Sequence, residues 1–129
     1  QGICLVKLGM KGRRMQAGSN FLNGVPELLI LRLLRDREMY GYELVQAIRA
    51  ATRDEILLAE GVVYPVLHAL ERDGALAARR QTVNGRSRIY YRVTPAGGER
   101  LAGLAGHWRR LNAAIAAILE EPGHVRSPA

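Results

Sequence analysis

Apolar residues recur along this chain first with a helical period, then with a period of two, then helically again. The stretch 25–37 holds Leu28, Leu29, Ile30, Leu31, Leu33 and Leu34, dense enough for a helix of about three turns buried on more than one side. After a short linker, Tyr40-Gly41-Tyr42-Glu43 opens a second helix in which Leu44, Val45 and Ile48 form an amphipathic stripe. Residues 51–59 read as a mixed connector. A third helix follows over residues 61–73, stopped by Gly74. Pro65 lacks an amide hydrogen and belongs in a first turn, so the helix begins regularly near residues 62–64 or has a distorted start. At about 100° per residue, Val63, Val66, Leu67 and Leu70 share one face, Pro65, His68 and Arg72 lie opposite, and Tyr64 sits on the flank.

Beyond Gly74 the period is two. Asn84-Gly85 suits a two-residue type I′ hairpin turn, and counting outward pairs Leu76 with Val93, Ala78 with Tyr91 and Arg80 with Ile89 on one face. On the other face Ala77 meets Arg92, Arg79 meets Tyr90 and Gln81 meets Arg88. A one-residue slip would turn Ile89, Tyr91 and Val93 to solvent, so burial should hold the register. The ribbon has an apolar and a basic side, with Arg80 out of pattern. Thr94-Pro95 supplies a hydroxyl N-cap and a first-position proline for a last helix over residues 95–121. In it Leu101, Leu104, Trp108, Leu111, Ile115 and Ile118 are spaced three, four, three, four, three, a heptad seam that predicts a partner helix. The fold class is therefore mainly α with a small β-hairpin: a winged helix-turn-helix over 23–94 plus a C-terminal dimerisation helix over 95–121. Residues 1–22 lack a period and read as a flexible basic arm or artificial leader, and 122–129 as a tail.

A chain of 129 residues suits one domain. Its formal charge of +7 points to a polyanionic partner, nucleic acid or a membrane surface. No window approaches the roughly 20 apolar residues of a membrane span, and no signal-peptide pattern opens the chain, so the expected location is cytoplasmic. Lone Cys4 cannot form an internal disulfide. The placement of charge is more informative than its sum. Between Asp73 and Glu99 lie five arginines, Arg79, Arg80, Arg86, Arg88 and Arg92, and no acidic residue. Arginine binds phosphate or guanine through a planar fork, and a helix followed by a basic wing suits the major groove and its flanking backbone. Catalysis has no footing: His68, His107 and His124 lack metal-ligand spacing, Ser19, Ser87 and Ser127 lack a nucleophile elbow, and the glycines form no phosphate loop. An enzyme is not expected, and neither is a cofactor or a metal.

The chain also resembles the PadR family of transcriptional regulators across residues 22–119. The likeness rests on Glu27-Leu28-Leu29-Ile30-Leu31, Tyr40-Gly41-Tyr42-Glu43-Leu44, Gly61-Val62-Val63-Tyr64-Pro65-Val66-Leu67 through Leu70-Glu71, the wing residues 86–91, and Thr94-Pro95-Ala96-Gly97. Where the family often has Gly-Thr-Leu-Tyr-Pro, Val62 and Val63 replace the middle pair. The resemblance implies a dimeric, usually repressing regulator with an effector that varies among members, and a twofold dimer joined through the 95–121 helices predicts a near-palindromic operator in double-stranded DNA. The candidate DNA contacts are Tyr64, His68, Arg72, Arg79, Arg86, Arg88 and Arg92; Tyr40 and Tyr42 read as packing residues. Trp108 on the seam reads as a dimer anchor and, by likeness to drug-sensing relatives, as a candidate contact for a planar aromatic effector. The competing expectation is a winged-helix module that binds protein instead of DNA.

Overall fold

The computed structural model describes residues 24–120. The predicted arm with Cys4, Lys7, Lys11, Arg13 and Arg14, the last residue of the predicted final helix, Glu121, and the tail with His124 lie outside the described residues. Helix α1 (Val25–Asp36) is followed by the short strand β1 (Met39–Tyr40), helix α2 (Gly41–Ala51) and helix α3 (Glu60–Arg72). Strands β2 (Leu76–Val83) and β3 (Arg86–Val93) form the hairpin, and α4 (Pro95–Leu119) closes the order. The hairpin has the register that Asn84-Gly85 dictates, with Leu76 opposite Val93, Ala78 opposite Tyr91 and Arg80 opposite Ile89. Asn84 and Gly85 both take positive φ, 51° and 78°, as a type I′ turn requires. Strand β1 was not foreseen. It pairs antiparallel with β3, Met39 against Tyr91 and Tyr40 against Tyr90, and gives the sheet order β1-β3-β2.

One core joins the three helices of the head to the sheet base and to the start of α4. Ile30, Leu31 and Leu34 of α1, Leu44 and Ile48 of α2, and Val63, Leu67 and Leu70 of α3 are buried together with Met39, Leu76, Tyr91 and Leu101. Burying a side chain of this size contributes roughly 1.5–3 kcal/mol each. The expected inward stripe of α3 is therefore present, with Val66 half-buried beside it. The apolar side of the hairpin is shorter than its alternation suggested: Tyr91 and Leu76 are buried, but Ala78 is exposed and Ile89 is 38% exposed. The ribbon leaves the core beyond Tyr91, so its outer half has solvent on both faces.

Two local devices fix the junction between α3, the wing and α4. The α3 C-terminus is a Schellman turn, with Ala75 N–H donating to Leu70 O and Gly74 N–H to Glu71 O, Gly74 taking φ 84°. Thr94 then locks α4 onto this turn. Its hydroxyl donates to Gly74 O at 2.6 Å and accepts from Gly97 N–H at 3.1 Å, and its own N–H donates to Ala75 O. Gly97 is pressed against the same backbone, and a Cβ there would overlap Ala75 O and stand 2.9 Å from Val93 Cγ1. Arg100, one turn on, pairs with Glu27 of α1 and, at 3.4 Å, with Asp73. These exposed pairs add less than about 1 kcal/mol each and serve mainly to orient the helix.

Candidate nucleic-acid interface

Helix α3 presents the face that its sequence predicts. Pro65, His68 and Arg72 are exposed, together with Gly61 and Val62 nearer the N-terminus. The helix begins at Glu60, before the regular start at residues 62–64 that the sequence offered, and Pro65 lies inside it. Pro65 supplies no N–H to the Gly61 carbonyl one turn back, and the first turn is held instead by Val62 and Val63 N–H donating to Ala59 O. Tyr64 is half-buried, and its ring lies over the start of α2. A Cβ at Gly41 would stand 2.5 Å from Tyr64 Cε1 and its hydroxyl oxygen. Burial pushes the Tyr64 phenol above its ordinary pKa, and the Glu60 carboxylate adds to the shift. Tyr64 thus sets the distance between the two helices, a role that needs glycine at position 41.

The wing carries the predicted arginines in unequal states. Arg79 is engaged: its Nε donates to both carboxylate oxygens of Glu38, at 3.0 and 2.9 Å, its Nη1 bonds to Gln81, and its guanidinium lies 4.9 Å from the Tyr90 ring centre. Hydrogen bonding from Arg79 holds the Glu38 carboxyl below the usual glutamate range. The hairpin, acid-free in sequence, therefore receives an acid from the α1–β1 turn. Arg88 stacks on Tyr40 at 4.4 Å, and Tyr40 meets Tyr90 edge-on at 5.4 Å. Arg80, out of pattern in the sequence, donates to Ser87. Arg86 and Arg92 are exposed and form no ion pair within the described residues.

Tyr42 corrects an expectation, since it is 51% exposed on the first turn of α2 and does not pack in the core. Tyr40 does pack, against Tyr90 and Arg88. The α4 seam divides as well. Leu101 is 4% exposed and belongs to the chain's own core, and Leu104 is half-buried against it, so the heptad stripe is not wholly available to a partner helix. Trp108 and Leu111 are half-buried, while Ile115, Ile118 and Leu119 are exposed. A groove of about 560 Å³ between α1 and α4 is lined by Leu28, Leu29, Leu101 and Trp108, with Arg32, Arg35 and Arg109 also on its walls. No cluster of His, Cys, Asp and Glu able to hold a metal occurs among the described residues.

The profile of the transcriptional regulator PadR-like family matches residues 30–103, which runs from within α1 through α2, α3 and the wing to the first turns of α4. The chain belongs to the PadR-like family of transcriptional regulators. Among curated relatives, the transcriptional regulator Rv3488 of Mycobacterium tuberculosis is 39% identical over 77 residues, 60% of this chain and 69% of that protein. Among solved structures, a transcriptional regulator from Clostridium thermocellum aligns with a TM-score of 0.70 at 28% identity, covering 76% of this chain and 96% of the other. A PadR-like transcription factor from Bacteroides fragilis aligns at 0.66 and 28% identity, covering 80% and 98%. The four helices and three-stranded sheet are thus a PadR winged helix, and this PadR-family chain is a regulator of transcription and not an enzyme. No helix among the described residues is long and apolar enough to cross a membrane.

Proposed function

We propose that this PadR-family chain is a homodimeric, effector-responsive repressor that binds a near-palindromic operator in double-stranded DNA. Each protomer offers α3 to a major groove and its wing to the flanking backbone. The observation that carries the reading is the pairing of an outward α3 face bearing His68 and Arg72 with a wing bearing Arg86, Arg88 and Arg92. Arg79, bound to Glu38, braces the wing and contributes less to phosphate binding. Titrating a selected operator against salt tests this. Arg86→Gln or Arg92→Gln should flatten the slope of log affinity against log salt by about 0.9 per contact, hence about 1.8 per dimer. Arg79→Gln should change it by less than half as much. An unaltered slope in all three variants would remove the wing from the phosphate contacts, and failure to select any operator from a random pool would favour a protein-binding module.

Twofold pairing is supported by the apolar end of α4, where Ile118 is 76% and Leu119 71% exposed. Exposure of large side chains in one stretch marks a surface that association covers. Ile115→Asp combined with Ile118→Asp should convert dimer to monomer in sedimentation equilibrium and leave the head folded, because neither side chain belongs to the core. A sedimenting dimer in that variant would refute this interface. The groove beside Trp108 is a candidate site for a planar effector, and the three arginines on its walls favour an anionic one. Such a ligand should quench Trp108 emission saturably and change operator affinity, since an effector acts only through different affinities for two states; quenching without any change in operator affinity would leave it a bystander.

A further inference from the structure

The leading half of α3 is apolar where it faces outward. Gly61 and Pro65 are exposed there and Val62, on the adjoining flank, is 42% exposed; none of the three carries a hydrogen-bonding group on its side chain. The polar groups of the outward face, His68 and Arg72, come one and two turns later. The flank on the far side of Val62 is occupied by Tyr64, whose ring is committed to Gly41, and by Glu60 and Glu71, whose carboxylates repel phosphate. An exposed valine in a first turn has little to gain from solvent, and in the major groove the one apolar group that a base pair presents is the thymine C5 methyl. The N-terminal residues of a recognition helix are those that reach base edges.

Resting on the DNA-binding reading above, we propose that Val62, flanked by Pro65, is a specificity-determining residue that reads the C5 methyl of one thymine in each operator half-site. Open space at Gly61, where a Cβ would meet nothing within 4 Å, lets the base edge approach this part of the helix. Recognition is then split along α3, with an apolar contact from its leading turn and hydrogen bonding from His68 and Arg72 behind it.

The experiment is a deoxyuridine scan of a selected operator, replacing one thymine at a time symmetrically in both half-sites and measuring affinity at fixed salt. Deoxyuridine removes only the methyl group and keeps the base pair. One position should weaken binding by about fourfold per half-site, the value of one buried methyl, and the other positions should change little. Val62→Ala should lose that discrimination while keeping the salt slope of the parent chain. Val62→Ser, which is shorter and polar, should lose it as well and guards against an effect peculiar to alanine. A scan that is flat at every thymine, or a Val62→Ala and Val62→Ser pair that still distinguishes thymine from deoxyuridine at the same position, overturns the proposal. Either result leaves DNA binding itself intact, whereas failure to enrich any operator from a random pool would instead remove the reading on which the inference rests.

Discussion

Gly97→Ala should lower the stability of this regulator by about 2 kcal/mol, with a fall of about 8 °C in thermal midpoint at fixed protein concentration. A methyl group at this position overlaps the Ala75 carbonyl oxygen and crowds Val93, and the obstructing atom is backbone in the Schellman turn. It cannot rotate aside as a side chain would. Overpacking of this kind costs typically 1–3 kcal/mol, offset in part by the better helix propensity of alanine. Gly103, in the same helix with nothing within 4 Å of its Cβ position, provides the control of opposite sign. Gly103→Ala should stabilise by roughly 0.5–1 kcal/mol. Chemical denaturation of the two variants checks both, and equal effects would contradict the close approach of α4 to the end of α3.

Gly41→Ala should cost about 2 kcal/mol and weaken operator binding, because the new methyl must displace the Tyr64 ring and with it the start of α3. The decisive measurement is a double-mutant cycle. Tyr64→Ala alone loses packing, but in its presence the Gly41→Ala methyl meets no ring. The double variant should therefore be more stable than the sum of the single effects predicts, by about 1–2 kcal/mol of coupling. Simple additivity would show that the two residues do not share this contact.

Much of the architecture could be read from local rules because the rules are strong here. Asn84-Gly85 admits essentially one tight hairpin, so every cross-strand pair followed from counting. The α3 faces followed from the spacing of Val63, Leu67 and Leu70, and the start of α4 from Thr94-Pro95. What escaped were features made by distant segments. Strand β1 is two residues long, too short to show a period, and exists through its pairing with β3. Glu38 reaches Arg79 across 41 positions of sequence, so the state of that arginine was invisible in a run of basic residues. Leu101 fits a heptad and a core equally well, and only the position of α1 decides between them. Tyr42 reads as a packing residue like Tyr40, yet it is 51% exposed; within the motif it is Gly41 that the Tyr64 ring requires, and the tyrosine beside it points elsewhere.

The sheet order β1-β3-β2 leaves the outer edge of β2 without a strand neighbour among the described residues, and unpaired backbone along such an edge is a template for another chain. Strand β2 carries Arg79, Arg80 and Gln81 in succession, all exposed. The charge of Arg80 acts as a gatekeeper, since bringing two wings together edge to edge would bring like charges together, whereas Arg79 is compensated by Glu38. Arg80, the residue that broke the apolar alternation, is thereby accounted for without any contact to nucleic acid. Under the proposed DNA-binding reading, neutralising the wing strips away this protection together with phosphate contacts, so such variants should be compared with lysine replacements that keep the repulsion and prevent self-association.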